Sequence, residues 1–246
     1  MQKEVQQTLV LIKPDALKNS LTGYVLSQMS EFHTSLIFAA TKVVHVTRML
    51  AEEHYAEHRG KVFFPALIEM ITGQLHYPDE PDKQRVIAII YEGPDAISKV
   101  RAICGPTNPH VAREEKPGCI RSLGTVIPLI NEEGRIVGDR MDNLIHASAS
   151  IEEAEREIKL WFKPNDIPPA KRAFATTHSD DQFYFKDGKV SQTYTTDGVC
   201  VLAPGDVAWE SDLKTLKALY EGKPADSPLE TPVAKYLLNR KISMTW

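Results

Sequence analysis

Apolar and polar positions fall into two rhythms along the chain. Thr8-Leu9-Val10-Leu11-Ile12 is a continuous apolar run, the pattern of a buried strand, and it ends at Lys13-Pro14, where proline forbids a continued central strand and turns the chain. Leu21, Val25, Met29 and Phe32 then recur at helical spacing behind the capping candidates Asn19 and Ser20, which predicts a helix over 20–32. Strands over 35–46, 85–91 and 143–147, a helical pair across 48–72, and helices over 94–103 and 151–162 complete a βαββαβ order. That order predicts an α+β fold, a ferredoxin-like sandwich with an antiparallel sheet.

Beyond Lys163-Pro164 the pattern changes. Residues 166–169 read as a linker, Phe183 to Val190 as a hairpin closed by an Asp187-Gly188 turn, and Gly198 to Leu202 as a further strand. Helices around Asp212 to Tyr220 and Pro232 to Leu238 follow, with apolar spacings of three or four. The chain is therefore expected to divide into residues 1–162 and a C-terminal α/β extension over 163–246. No internal repeat is visible.

The most informative residue is His146, at the end of the apolar run Asn143-Leu144-Ile145 and just before Ser150-Ile151-Glu152-Glu153, which has the spacing of a helix-start capping box. A histidine leaving a strand is rigidly held yet can face a cleft, which suits a nucleophile. Such a ring needs a partner on one nitrogen so that the other is free. Glu157, on the helix marked by Ala154, Ile158, Trp161 and Phe162, is the local candidate, and Ser148 could link the two. Lys13 is pinned at the sheet's end, near any site built on the sheet. The Pro- and Gly-punctuated stretch from Thr107-Asn108-Pro109 to Pro117-Gly118-Cys119-Ile120-Arg121 reads as a loop carrying Arg113, Lys116 and Arg121, and loops of this length are often functional.

Taken in order, these segments resemble the nucleoside diphosphate kinase family. Ile12 to Asp15 is similar to its Ile-Lys-Pro-Asp, Asn143 to Ala149 to its Asn-x-x-His-Gly-Ser-Asp, and Thr107 to Pro109 with Pro117 to Arg121 to its Thr-Asn-Pro and Pro-Gly-x-Ile-Arg loop. Glu53-His54-Tyr55, Phe63-Phe64-x-x-Leu67 and Tyr91-Glu92-Gly93 match in between, so the resemblance covers residues 7 to 162. It implies a ping-pong phosphotransferase in which His146 takes the γ-phosphate of one nucleoside triphosphate and hands it to a diphosphate. It further implies catalytic roles for Lys13, Asn143, Ser148, Glu157 and Tyr55. Lys13, Arg101, Thr107, Arg121 and Asn143 would surround phosphates and ribose, while Phe63 and Leu67 would hold the base with little discrimination, because every base has a π-face. Mg²⁺ is the implied cofactor, held mainly through the nucleotide's phosphates rather than by protein ligands. Nucleoside di- and triphosphates are the implied partners, and a homo-oligomer is expected.

The chain departs from the family pattern in places. Ala147 replaces a glycine, Ala149 an aspartate, Asp142 an arginine, and Lys61 stands where arginine is common. Ala147 matters only if the backbone there needs φ > 0. Two insertions also stand out: Leu75 to Gln84, rich in prolines and acids, and the hairpin of Val126 to Ile130 and Arg135 to Val137 around Asn131-Glu132-Glu133-Gly134. Both are expected to be surface decoration outside the site.

Composition sets the remaining bounds. The 246 residues are 42% hydrophobic and 25% charged, enough for a core plus an addition, and Lys+Arg 29 against Asp+Glu 33 gives a net charge of −4 with no basic run pointing to nucleic acid. Three cysteines without metal-ligand spacing suggest a reducing compartment, and the absence of an apolar leader or span leaves the cytoplasm as the expected address, with no membrane partner. Two rivals remain. His54-Tyr55-Ala56-Glu57-His58 matches a zinc-binding His-x-x-Glu-His pattern, and the alanines at 147 and 149 would suit a nucleotide-sensing or scaffold protein that keeps the pocket with weakened turnover.

Overall fold

The structure is a computed structural model that describes residues 5–238. Two compact units emerge, Met1–Ile158 and Lys159–Trp246, with the boundary inside a helix.

The first unit is built on a four-stranded antiparallel sheet. Its strands are β1 (Val5–Ile12), β2 (Ile37–Val44), β3 (Val86–Pro94) and, further along, a short strand at Ile145–Ala147, in the spatial order β2-β3-β1 and then Ile145–Ala147. Helices α1 (Pro14–Lys18), α2 (Thr22–Gln28), α3 (Glu31–Thr34), α4 (Arg48–His54), α5 (Phe64–Thr72), α6 (Ala96–Cys104) and α7 (Pro109–Glu115) connect them. The hairpin β4 (Thr125–Ile130) and β5 (Ile136–Asp142) precedes β6 (Ile145–Ala147), and α8 (Ile151–Trp161) follows. This is the ferredoxin-like arrangement. Leu9 to Ile12 are fully buried because β1 is a central strand, with Val10, Ile12, Ile89, Tyr91, Val100, Ile145 and Ala147 in one core cluster.

Three local readings are corrected. The helix expected over 20–32 is broken into α2 and α3, preceded by α1. Pro14 at the first helical position starts a helix at once after Lys13, Ser20 takes a left-handed φ of 58° between α1 and α2, and Phe32 is 92% exposed instead of facing the core. The stretch after Thr107 is not a structureless loop. Asn108 caps α7 by accepting the His110 N–H at 2.8 Å, Pro109 is its first residue, and Ile120–Leu123 forms a 3₁₀ turn. The insertion Leu75 to Gln84 is only partly a surface loop, since His76 and Tyr77 are buried.

The second unit carries two small antiparallel sheets. Strands β8 (Phe183–Lys186), β9 (Lys189–Ser191) and β10 (Val199–Leu202) form one, in the order β10-β8-β9, with Asp187 and Gly188 both at positive φ in the hairpin turn. Strands β7 (Thr176–His178) and β11 (Val207–Trp209) form the other. Helices α9 (Glu210–Tyr220) and α10 (Glu230–Val233) follow, the latter continued by a 3₁₀ turn at Ala234–Tyr236. The core of this unit includes Phe183, Val201, Trp209, Leu216 and Val233, and the Trp209 indole donates to the Phe162 carbonyl at 2.7 Å. A fully buried Lys235 ammonium donates to Asp212 at 2.7 Å and to the Pro232 carbonyl at 3.0 Å.

Candidate active site

β6 is short, and its alternation decides where the histidine points. Ile145 and Ala147 turn into the core, so His146, between them and opposite Leu11 of β1, projects from the other face with its side chain 19% exposed. Its Nε2 lies 2.9 Å from Glu157 Oε2. A carboxylate only accepts, so this bond fixes the proton on Nε2 and leaves the Nδ1 lone pair as the nucleophilic edge. Ser148 does not stand between the two as an intermediary: its hydroxyl donates to the same Glu157 oxygen at 2.7 Å, and its Oγ accepts the Leu9 N–H at 3.2 Å. Burial would raise the Glu157 carboxyl, but the charge of and hydrogen bond from His146, with His54 and Ser148 beside it, outweigh burial and hold it down at about 2.

The turn before β6 is strained and doubly tied. Leu144 has φ 69°, and the Ile145 N–H closes on the Asn143 carbonyl at 2.8 Å. Left-handed backbone at a leucine costs on the order of 1–3 kcal/mol. It is held by Asp15 Oδ2, which accepts the Leu144 N–H at 2.8 Å, and by the Lys13 N–H, which donates to the Leu144 carbonyl at 3.0 Å. The start of α1 thus sets the angle at which β6 presents His146. Ala147 needs no positive φ, so the missing glycine is without consequence there. Where the aspartate is missing, Glu153 reaches back to accept the Ala149 N–H at 2.9 Å, while Ser150 accepts the Glu153 N–H at 3.2 Å.

A cavity of about 470 Å³ opens over His146, lined by Lys13, Tyr55, Phe63, Leu67, Arg101, Thr107, Arg121, Asn143 and Glu157 among others. Lys13 is buried. Its ammonium donates to Asn143 Oδ1 at 2.6 Å and lies 3.7 Å from Asp15, and the Asn143 amide in turn donates to the Thr107 carbonyl at 2.9 Å. Burial pushes the Lys13 ammonium below its ordinary value against the pull of Asp15, with Arg121 acting in the same direction as burial. Arg121 is oriented by backbone: Nη1 donates to the Gly105 carbonyl at 2.9 Å and Nη2 to that of Ile145 at 3.2 Å. Gly105 has to be glycine, because a Cβ there would lie 2.2 Å from Cys119 Sγ at a φ of 81°. Arg101 is exposed on α6. Phe63 packs against His58, ring centroids 5.6 Å apart, and Leu67 lies on α5.

Beside Tyr55, which the sequence assigned to the site, the structure brings in His54, Met70, Asp139, Arg140 and Met141, which the sequence did not. His54 is buried against the nucleophile, its ring centroid 4.5 Å from that of His146 and its Nδ1 3.8 Å from Glu157 Oε1. Burial, then the His146 charge, drives the His54 pKa down to about 3, so this ring is neutral. Tyr55 stands edge-on to His146 at 6.5 Å, and burial followed by Glu157 raises its hydroxyl pKa, keeping the proton on. Met70, Asp139, Arg140 and Met141 also line the cavity. The last three come from the hairpin that sequence reading placed outside the site. A strand pairing shows which residues alternate, but not that the hairpin folds over the pocket.

The zinc pattern dissolves in three dimensions. α4 ends at His54, and His58 sits in a following 3₁₀ turn, stacked on Tyr55 with Lys61 Nζ 3.0 Å from its Nδ1. The two histidines therefore lack the common helical face that the pattern requires. Among the described residues, the group with metal-ligand spacing is His54, His146 and Glu157, whose ligand atoms lie within 4.8 Å of one another. A cation there would compete for the bond that orients His146.

Comparison with known proteins decides the family. The nucleoside diphosphate kinase family model matches residues 6–167. The chain belongs to the nucleoside diphosphate kinase family. It is 35% identical over 199 residues to the nucleoside diphosphate kinase of Thermococcus kodakarensis, covering 81% of this chain and 97% of that one. It is also 36% identical over 163 residues to the Thermus thermophilus nucleoside diphosphate kinase, covering 66% and 99%. Among solved structures, the Aquifex aeolicus nucleoside diphosphate kinase aligns at 32% identity with a TM-score of 0.53, covering 67% of this chain and 100% of that one. Nothing in the geometry favours the weakened sensing or scaffold protein. Among the described residues, no helix is long and apolar enough to cross a membrane.

Proposed function

We propose that this protein is a nucleoside diphosphate kinase that works through phospho-His146. The observation that carries the reading is the pinned ring: Nε2 is bonded to an ionised Glu157 at 2.9 Å, and Nδ1 is left to a cavity lined by Lys13, Arg101 and Arg121. In the first half-reaction the Nδ1 lone pair attacks the γ-phosphorus of a nucleoside triphosphate. The bond to the β-phosphate oxygen breaks and the diphosphate leaves. A second diphosphate then takes the phosphoryl group by the reverse displacement, which makes the cycle ping-pong. The Nε2 proton never has to move, because Glu157 stabilises the cationic phosphorylated ring.

Lys13, Arg121 and Arg101 meet the charge on the phosphoryl oxygens. Asn143 holds Lys13, and Thr107 lies beside Asn143. Tyr55 buttresses His146, and Ser148 holds Glu157. Phe63 and Leu67 take the base. The donor set fits a Mg²⁺ ion carried in on the nucleotide, since the buried carboxylates Asp15, Asp142 and Glu157 are each engaged by protein donors. When bound, magnesium neutralises charge between the phosphates. Three free cysteines fit a cytoplasmic setting, and the exposed Phe38 and Val43 on the edge strand β2 support assembly into a homo-oligomer.

Incubation with γ-labelled ATP tests the reading. The label should be acid-labile and base-stable, as phosphohistidine is, should pass to any added nucleoside diphosphate, and should vanish in His146→Ala while nucleotide affinity stays within a few fold. Base-labile label on Ser148 or Ser150, or retained transfer in His146→Ala, would refute it.

A further inference from the structure

The two insertions meet beside the pocket. His76, four residues beyond the end of α5, places Nε2 3.0 Å from Asp142 Oδ2 at the end of β5. Arg140, on the same strand, donates Nε to Asp142 Oδ1 at 3.0 Å and Nη2 to Oδ2 at 3.2 Å. Asp142 thus joins a residue from each insertion and fixes the plane of a guanidinium. Hydrogen bonds from His76 and Arg140 overcome its burial and keep its carboxyl below the ordinary carboxylate value.

Arg140 lines the same cavity as Phe63 and Leu67, and its strand packs against α5, which carries Leu67. The buried cations that address phosphate, Lys13 and Arg121, come from elsewhere: the end of β1 and the turn at Ile120–Leu123. Arg140 therefore reaches the cavity from the hairpin, along the side where β5 meets the helix that carries Leu67. Its Nε side is occupied by Asp142. Its other edge, Nη1 and the outer N–H of Nη2, has no protein partner among the described residues. That edge is a pair of parallel donors, and Asp142 cancels its net charge, so the pair adds direction rather than phosphate affinity.

We propose that Arg140, clamped by Asp142 and His76, reads the base and gives this enzyme a preference for guanine nucleotides. Two parallel donors match the O6 and N7 acceptors of guanine. Adenine offers N7 but turns its N6 amino group, a donor, toward a donor. Uracil and thymine offer the single acceptor O4, and cytosine offers an amino group. The order is therefore guanine, then uracil and thymine, then adenine and cytosine. The inference rests on the nucleotide pocket argued above, with Phe63 and Leu67 at the base, and adds a directional contact to a platform that is otherwise base-tolerant.

The test uses the full chain and two readouts. Equilibrium binding of GDP, IDP, 7-deaza-GDP and ADP needs no turnover, so it reads the base preference even if phosphotransfer from ATP fails and the activity reading falls. Dephosphorylation of the labelled phosphoenzyme by the same nucleotides gives the second measure. GDP and IDP should exceed ADP by about tenfold, 7-deaza-GDP should lose most of that advantage, and Arg140→Met should bring the GDP to ADP ratio to within about twofold of unity. The analogue series on the unaltered protein stands even if the variant misfolds. Equal affinity for IDP and ADP, or a GDP to ADP ratio unchanged in folded Arg140→Met, overturns the proposal.

Discussion

Replacing Glu157 with glutamine changes one atom's charge at the point where the site is tightest. One carboxylate oxygen, Oε2, accepts both the His146 ring at 2.9 Å and the Ser148 hydroxyl at 2.7 Å, while Oε1 lies 3.6 Å from Arg156 and 3.8 Å from His54. A glutamine has two ways to sit there. With its oxygen in the place of Oε2 it keeps both acceptor bonds but loses the charge. A hydrogen bond to a charged group is worth about 1.5–3 kcal/mol and a neutral one about 0.5–1.5, so the cationic phosphorylated ring loses roughly 1–2 kcal/mol, about five- to thirtyfold in rate. Flipped, the amide donates to Nε2, forces the proton onto Nδ1 and removes the nucleophilic lone pair, a deeper loss. Rapid-quench measurement of phosphoenzyme formation from γ-labelled ATP should therefore show Glu157→Gln slowed by at least about fivefold, and by more where the amide is flipped. A folded variant phosphorylated within twofold of the wild-type rate would refute the assignment of Glu157 as the group that orients His146.

Other perturbations separate the parts. Lys13→Ala and Arg121→Ala should each lower kcat/KM by roughly 10² or more in steady-state assays, because each removes a cation aimed at the transferring group; values near wild type for both would mean the phosphates lie elsewhere. Acid should weaken the fold through His54, whose folded pKa of about 3 is depressed from 6.5. The unfolded chain takes up a proton below about pH 6.5 and the folded one does not until about 3. Stability is thus lost as pH falls through that window, by about 2 kcal/mol at pH 5, and urea titrations should show the slope reduced in His54→Asn. In the second unit, Asp212→Ala strands a fully buried Lys235 ammonium and should destabilise by about 3–5 kcal/mol in chemical denaturation, whereas a loss below 1 kcal/mol would show that the lysine finds another partner.

The legible parts of the fold were those set by period and by single strong residues. β1 announced itself because a central strand must be apolar on both faces, and its pairing partner β3 is similarly apolar from Val86 to Tyr91. The hairpins around Gly134 and Gly188 were readable because each turn has a glycine at positive φ. The helix over 20–32 was misread because apolar spacing says nothing about Ser20, whose left-handed turn ends one helix before the next begins. In the site, the ordered motifs brought Lys13, Asn143, His146 and Glu157 into view, but contacts between residues far apart in the chain, such as His54 with His146 and His76 with Asp142, follow from packing alone.

The site's reactivity is distributed over groups that hold one another. Asp15 and the Lys13 N–H fasten the strained Leu144, and that fastening aims β6. The Lys13 side chain from the same corner holds Asn143, whose amide fixes the Thr107 carbonyl at the edge of the cavity. Arg121 then donates to the Ile145 carbonyl, the residue immediately before the nucleophile. Arg121, proposed to meet phosphate, is therefore also a tie on the backbone beside His146, so a substitution there acts on both charge and aim, whereas Lys13 ties Leu144 through its main-chain N–H, which Lys13→Ala keeps. Ala147 and Ala149 take nothing from these ties: neither side chain contributes one, and the one the missing aspartate could have supplied is made by Glu153 from within α8.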